Sequence, residues 1–137
     1  MQTYPLVVEQ VITARRCQLI DITRLIQAVI DRLQIQDGLV VVHVPHTTAA
    51  VTVNENADAD VQHDLLEKLA REIPQQESYY QHSEGNSDSH LKSSLVGCAQ
   101  TLIIERGRLA LGTWQGIYFC EFDGPRQREV WLKVLGA

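Results

Sequence analysis

The chain reads as an α+β protein built around one core, and three observations lead there. Runs rich in Val, Ile and Leu gather in groups, segments of helical period stand between those groups, and the regular strand–helix alternation of a parallel sheet is missing. At 137 residues the chain can bury roughly two-thirds of its unfolded surface, enough for one core and a single domain spanning 1–137. An eight-stranded β/α barrel needs roughly 200 residues or more, so chemistry usually housed there would need another scaffold here.

Residues 4–12 (YPLVVEQVI) and 16–20 (RCQLI) are strand-like. From Asp21 the period changes: Leu25, Ile26, Val29, Ile30 and Leu33 recur at helical spacing, with Asp21 or Thr23 as N-cap and Gly38 just past the end. Residues 39–44 are almost continuously apolar, as in a strand buried on both faces. Pro45 then ends the ladder, because it has no N–H to donate. Residues 49–53 (AAVTV) form a further strand after the PHTT turn. Val61, Leu65, Leu66, Leu69 and Ile73 make the apolar face of a second helix, with Asp58 and Asp60 near its N-terminus and Pro74 as its stop.

Residues 75–89 (QQESYYQHSEGNSDS) carry no period and are loop. Ser87 or Asp88 caps a short helix that runs through Leu91 and Leu95 to Gly97. The remainder is β: 99–105, a turn at Arg106 and Gly107, 108–111, 116–122 and 127–135. In the last of these Val130, Leu132 and Val134 point one way, Trp131 and Lys133 the other.

Apolar residues make up 45% of the chain and charged residues 21%, the balance of a globular domain. A net charge of −5 argues against a nucleic-acid partner, which needs a clustered basic surface. An anionic substrate would therefore depend on local cations. No apolar run approaches the roughly 20 residues that cross a bilayer, and MQTYPLVVEQ lacks the order of a signal peptide; a cytoplasmic location without a membrane partner is expected. Cys17, Cys98 and Cys120 stand at long spacings with no CxxC pair and read as reduced packing cysteines.

The five histidines differ in setting. His63 faces water on the second helix, and His43 reads as a hydrogen-bonded core residue of its strand. His46 follows Pro45 at a strand end, where side chains emerge from a sheet. His82 and His90 bracket HSEGNSDSH, which also holds Glu84, Asn86 and Asp88. Three imidazoles, or two with a carboxylate, and one open position are what a catalytic Zn²⁺ needs; a polar loop leading into a capped helix would look the same. GTWQG (112–116) suggests a bulge or a close backbone approach, to a ligand or a neighbouring subunit, or simply a packed Trp with bend glycines. Lys92, Ser93, Ser94, Arg106, Arg108, Arg126 and Arg128 are the cations and hydroxyls available to a phosphate. Asn54 or Glu55 could point into the site of His46, while Asn56 caps the second helix.

Taken together, PHTTAAVTVNENADADV (45–61), HSEGNSDSHLKSSLVG (82–97) and GRLALGTWQGIYFCEFDGPR (107–126) closely resemble the YjbQ-like family, many of whose members carry the label secondary thiamine-phosphate synthase. The resemblance implies a strongly bent, mostly antiparallel sheet packed with about three helices, a homotrimer, and a histidine metal site near subunit boundaries. Position by position it makes His46, His82 and His90 the metal ligands, from the PHT, HxEGN and SHLK motifs, with Glu84 and Asn54 as catalytic groups. The activity it implies joins hydroxymethylpyrimidine diphosphate to a thiazole phosphate with release of pyrophosphate. A divalent metal, Zn²⁺ at the histidines or Mg²⁺ with the pyrophosphate, would take up the developing charge. Lys92 and Arg108 would assist, Trp114 would stack on a ring, and Ser93, Ser94, Gly112, Thr113 and Gln115 would contact the phosphorylated substrate. Two alternatives stay open: a metal-dependent hydrolase of a small phosphorylated or carbonyl compound with Glu84 as base, and a trimeric metal- or ligand-binding module without catalysis.

Overall fold

The computed structural model describes residues 1–137. Its elements run β1 (Gln2–Thr3), β2 (Val7–Ile12), β3 (Gln18–Asp21), α1 (Thr23–Leu33), β4 (Asp37–His43), β5 (Ala49–Glu55), α2 (Ala59–Glu72), α3 (Ser87–Val96), β6 (Ala99–Glu105), β7 (Arg108–Leu109), β8 (Gln115–Glu121) and β9 (Gln127–Gly136). Every strand pair is antiparallel. They form a six-stranded sheet in the order β1-β9-β4-β6-β7, with β2 also on β9, and a three-stranded sheet in the order β3-β8-β5.

The two sheets pack face to face because alternation supplies each with an apolar side. Val40, Val42, Leu102, Ile104, Val130, Leu132 and Val134 of the large sheet meet Ala49, Val51, Ile117 and Phe119 of the small one, and Ile26, Val29 and Ile30 of α1 close the layer. Each fully buried branched side chain contributes about 1.5–3 kcal/mol. On the other face of the small sheet, Ala50, Cys120 and Phe122 are covered by Leu66 and Leu69 of α2 and Val96 of α3. The expected α+β class and its three helices are present, and the antiparallel β-structure is divided between two sheets.

Several details differ from the sequence expectation, beginning with the N-cap positions, which are Ile22, Asp58 and Asn86 in place of Asp21 or Thr23, Asn56, and Ser87 or Asp88. Helix α1 ends earlier, with Gln34 in the left-handed conformation (φ 56°). Gly38 instead lies inside β4, where a Cβ would stand 2.1 Å from the Leu135 carbonyl oxygen. β4 is also buried on one face only: Val40 and Val42 are inside, while Leu39 is 38% exposed. The hairpin at Arg106 and Gly107 is as expected, with both residues at positive φ, 52° and 79°, the geometry that two-residue turns favour.

The sheets are joined where β4 passes into β5. Val44 N–H donates to the Cys98 carbonyl at 2.8 Å, and Val51 N–H to that of Gly97 at 3.1 Å. This connection, the β8–β9 connection and the start of α3 meet at one corner of the molecule.

Candidate functional site

Beneath that corner lies a buried ion pair. Glu121, fully buried, accepts from the Arg128 guanidinium, with Arg128 Nε at 2.9 Å from Oε1. Thr13 Oγ1 adds a bond to Oε1 at 2.7 Å, and Asp123 N–H one to Oε2 at 3.0 Å. Burial opposes ionisation of Glu121, and these donors outweigh it, holding the carboxyl below its usual range. Arg128 also reaches back through Nη2 to Thr48 Oγ1 at 2.8 Å, which fixes the loop carrying His46 and Thr47.

His46 Nε2 accepts the Glu129 N–H at 2.9 Å. Burial, followed by the charge of Arg128, pushes His46 below the ordinary histidine range. A neutral ring whose Nε2 accepts carries its proton on Nδ1, so His46 presents an N–H donor.

Helix α3 is anchored by charge on its inner side. Asp88, fully buried, takes Arg16 at 2.9 Å and Lys92 at 2.9 Å. Burial opposes the charged form, and the two cations overcome it, so the Asp88 carboxyl lies below its usual range. Ser89 Oγ donates to the Phe122 carbonyl at 2.6 Å. Asn86 is the N-cap residue of α3 yet its side chain makes no capping bond. Its Nδ2 donates instead to Asp123 Oδ2 at 2.8 Å.

Two buried side-chain polar atoms in the chain lack a hydrogen-bond partner, Asn86 Oδ1 and Ser93 Oγ. Both belong to residues lining this corner. One hollow of about 340 Å³ is lined by ten residues, all polar or charged apart from Pro45, among them His46, Glu84, Asn86, His90, Arg126 and Arg128. An adjoining hollow of about 390 Å³ shares His46, Thr47 and His90 with it and adds Ser93, Ser94 and Cys98. His90 also borders a third hollow with Tyr79, Tyr80, His82 and Leu91.

The structure therefore brings together His46, His90, Glu84, Ser93 and Ser94, with His82 alongside. His82 and His90 meet edge to face, ring centroids 5.3 Å apart, and His82 Nε2 lies 3.5 Å from Glu84 Oε2. Within one chain these groups do not compose the expected metal centre. No three His, Cys, Asp or Glu side chains gather closely enough to hold an ion. His46 has no free lone pair to offer: Nε2 is engaged and Nδ1 carries the proton.

Other expected site residues lie elsewhere. Ala49 pairs with Glu121 and Glu55 with Gln115, so β5 carries Asn54 away from His46 over a span of about 20 Å. Asn54 Oδ1 accepts its neighbour's N–H, from Glu55 at 2.7 Å. Gly112, Thr113, Trp114 and Gln115 form the turn into β8, closed by Gly112 N–H on Gln115 Oε1 at 2.8 Å and Asn56 N–H on the Trp114 carbonyl at 2.9 Å. Arg108 is on β7, opposite Glu105. Lys92 is 3% exposed and spends its charge inside, on Asp88. His43 is on the outer face of the large sheet beside Trp131, ring centroids 5.8 Å apart, rather than in the core. His63 is exposed as expected. Of the cysteines, Cys120 is buried with its thiol pushed up to about 12, Cys17 is half-buried, and Cys98 is exposed, unlike a packing residue.

Sequence reasoning did not single out Asn86 and Arg16 as site-building residues. The available signal was a capping-type residue directly before the helix and an acid four residues ahead of Lys92.

Two packed antiparallel sheets with three helices and a polar cleft at a helix start define a small α+β class of protein. The chain belongs to the UPF0047 (YjbQ-like) family, whose model matches residues 8–137. An UPF0047 protein of Methanocaldococcus jannaschii is 53% identical over 127 residues, covering 93% of this chain and 91% of that one. YugU of Bacillus subtilis is 49% identical over 127 residues, covering 93% and 96%. A solved UPF0047 structure from Clostridium acetobutylicum aligns with a TM-score of 0.91 at 50% identity, covering 94% of this chain and 99% of that one. Another, from Sulfolobus solfataricus and described as a protein of unknown function, aligns at 0.92 with 30% identity, covering 99% of each.

These findings overturn the expected thiamine-phosphate synthase activity. The relatives are described by family alone, with no synthase or transferase among them. The histidine ligand set on which that reading drew is not assembled, and the metal-dependent hydrolase reading drew on the same set. No helix is long and apolar enough to cross a membrane.

Proposed function

We propose that the chain binds a small phosphorylated molecule in the polar cleft between the β4–β5 connection, the start of α3 and the β8–β9 connection. The observation that carries this is the lining itself: two guanidinium groups, two imidazoles and the Thr47 and Thr48 hydroxyls around one hollow, whose other members are Asn86, Glu84, Asp123 and Pro45. Arg126 and Arg128 use Nε and Nη2 within the chain, which leaves each Nη1 for a ligand oxygen. His46 adds a neutral Nδ1–H donor, and α3 adds the positive end of its dipole. Arg16 and Lys92 are paired with Asp88, Arg126 with Asp123 and Arg128 with Glu121, while Glu84 and Glu129 add two further carboxylates. Isothermal titration with inorganic phosphate and glycerol 3-phosphate tests the reading. Saturable binding that weakens at least about tenfold in Arg126→Gln and in His46→Ala is expected. No saturable binding up to about 10 mM would overturn it.

A second copy of the chain is the partner we propose for the outer face of the large sheet. Leu39 stands between Ile103 and Leu135, and Trp131 between Val8 and His43. Ile103 is 55% exposed and Val8 46%, an apolar patch of the kind that marks association. The family resemblance points to three copies.

A further inference from the structure

The amide of Asn86 is held in one orientation. Its Nδ2 faces Asp123 Oδ2 at 2.8 Å, and the reverse orientation would press two oxygens together. Oδ1 is thereby aimed away from Asp123, and it finds no partner in the chain although Asn86 is only 8% exposed. An Asn at the N-cap ordinarily spends that oxygen on the N–H groups of the first helical turn. Here the helix gives up the capping bond, and the acceptor left without a partner belongs to a residue that lines the cleft.

Ser93 repeats the pattern in the adjoining hollow. Ser94 satisfies itself on the His90 carbonyl at 2.9 Å and Ser89 on that of Phe122 at 2.6 Å. Ser93 Oγ, on a residue 7% exposed, does neither. The two residues that carry orphaned atoms thus line two hollows that share His46, Thr47 and His90. Leaving such groups unmade is costly, and departures from local rules concentrate at functional sites.

The cleft has two chemical ends. Arg126, Arg128 and His46 supply donors; Asn86 Oδ1 and Glu84 supply acceptors that a phosphate would repel. We propose that Asn86 Oδ1 reads a hydrogen-bond donor on the ligand, so that the ligand is a phosphate monoester carrying a hydroxyl or protonated amine rather than a plain phosphate. This rests on the phosphate reading above and adds to it the second group of the ligand and the residue that selects it.

Three probes of one size test it by isothermal titration: ethyl phosphate, 2-hydroxyethyl phosphate and 2-aminoethyl phosphate. The two donor-bearing esters are expected to bind the unmodified protein at least about tenfold more tightly than ethyl phosphate, the size of effect expected when a buried acceptor is paired. In Asn86→Ala the three affinities should converge to within about twofold. Equal binding of all three by the unmodified protein would overturn the inference and leave the phosphate reading standing. A preference that survives in Asn86→Ala would also overturn it. Binding of none of the three would overturn the phosphate reading itself. Should Asn86→Ala not fold, the comparison on the unmodified protein decides.

Discussion

Asn86 donates its amide N–H to Asp123 across the cleft at 2.8 Å, and through that one bond the β8–β9 connection takes the side chain that should cap α3. The start of the helix and the loop bearing Arg126 are held in register, and Asn86 Oδ1 is left without a partner beside the cleft that Asn86 lines. Function-bearing geometry of this kind is maintained at a cost in stability, which the following substitution measures.

Asn86→Ser should relieve that cost. Serine is short enough to bond the first helical turn and removes the unpaired acceptor, so stability by urea unfolding is expected to hold or rise by up to about 1 kcal/mol. The preference for donor-bearing esters should vanish in the same protein. A loss of more than about 2 kcal/mol would show that the Asp123 bond is structural first.

Arg128→Met should be severe. It leaves the Glu121 carboxylate buried without its cation and frees Thr48, so a loss of about 3–5 kcal/mol is expected by urea unfolding. The double variant Arg128→Met, Glu121→Leu should recover much of it, because replacing both charges by apolar groups removes the unpaired ion.

The pH dependence of stability has two parts. His46 is lowered by burial and by Arg128, so the folded state binds fewer protons there than the unfolded chain. Its contribution is full above the unfolded value of about 6.5 and is lost as pH falls through the lower folded value. Glu121 and Asp88 are also held low, and their contribution is full above about 4 and lost as pH falls further. Unfolding midpoints in urea should decline in two stages on acidification, and His46→Gln should abolish the first stage only.

The association of copies is tested on the outer sheet face. Ile103→Glu, which touches neither core nor cleft, should reduce the particle measured by light scattering to a single chain of 15.4 kDa. An unchanged mass would place the contact elsewhere.

Much of the fold is legible because its signals are local. The alternation of Val130, Leu132 and Val134 against Trp131 and Lys133 gave β9 its inner face, and the stripe Ile26, Val29 and Ile30 gave α1 its buried side. Gly38 misled as a helix terminator because its requirement is the Leu135 carbonyl, almost a hundred residues away. The site was legible in part. His46, His82, His90 and Glu84 do gather around the start of α3, but chain proximity wrongly joined Asn54 to His46, since an extended strand separates what the sequence keeps close. Lys92 looked like a free cation until Asp88, one turn earlier, was seen to be buried with it. The sequence points to Ser87 or Asp88 as the cap of α3, whereas Asn86 holds that position and its side chain goes to Asp123.

A crystal structure with 2-hydroxyethyl phosphate tests the central claim most directly. The phosphate is expected within hydrogen-bond distance of His46 Nδ1 and an Arg126 nitrogen, with the ligand hydroxyl donating to Asn86 Oδ1. Ordered ligand at the Gly112–Gln115 turn, or elsewhere on the surface with the cleft holding only solvent, would contradict it.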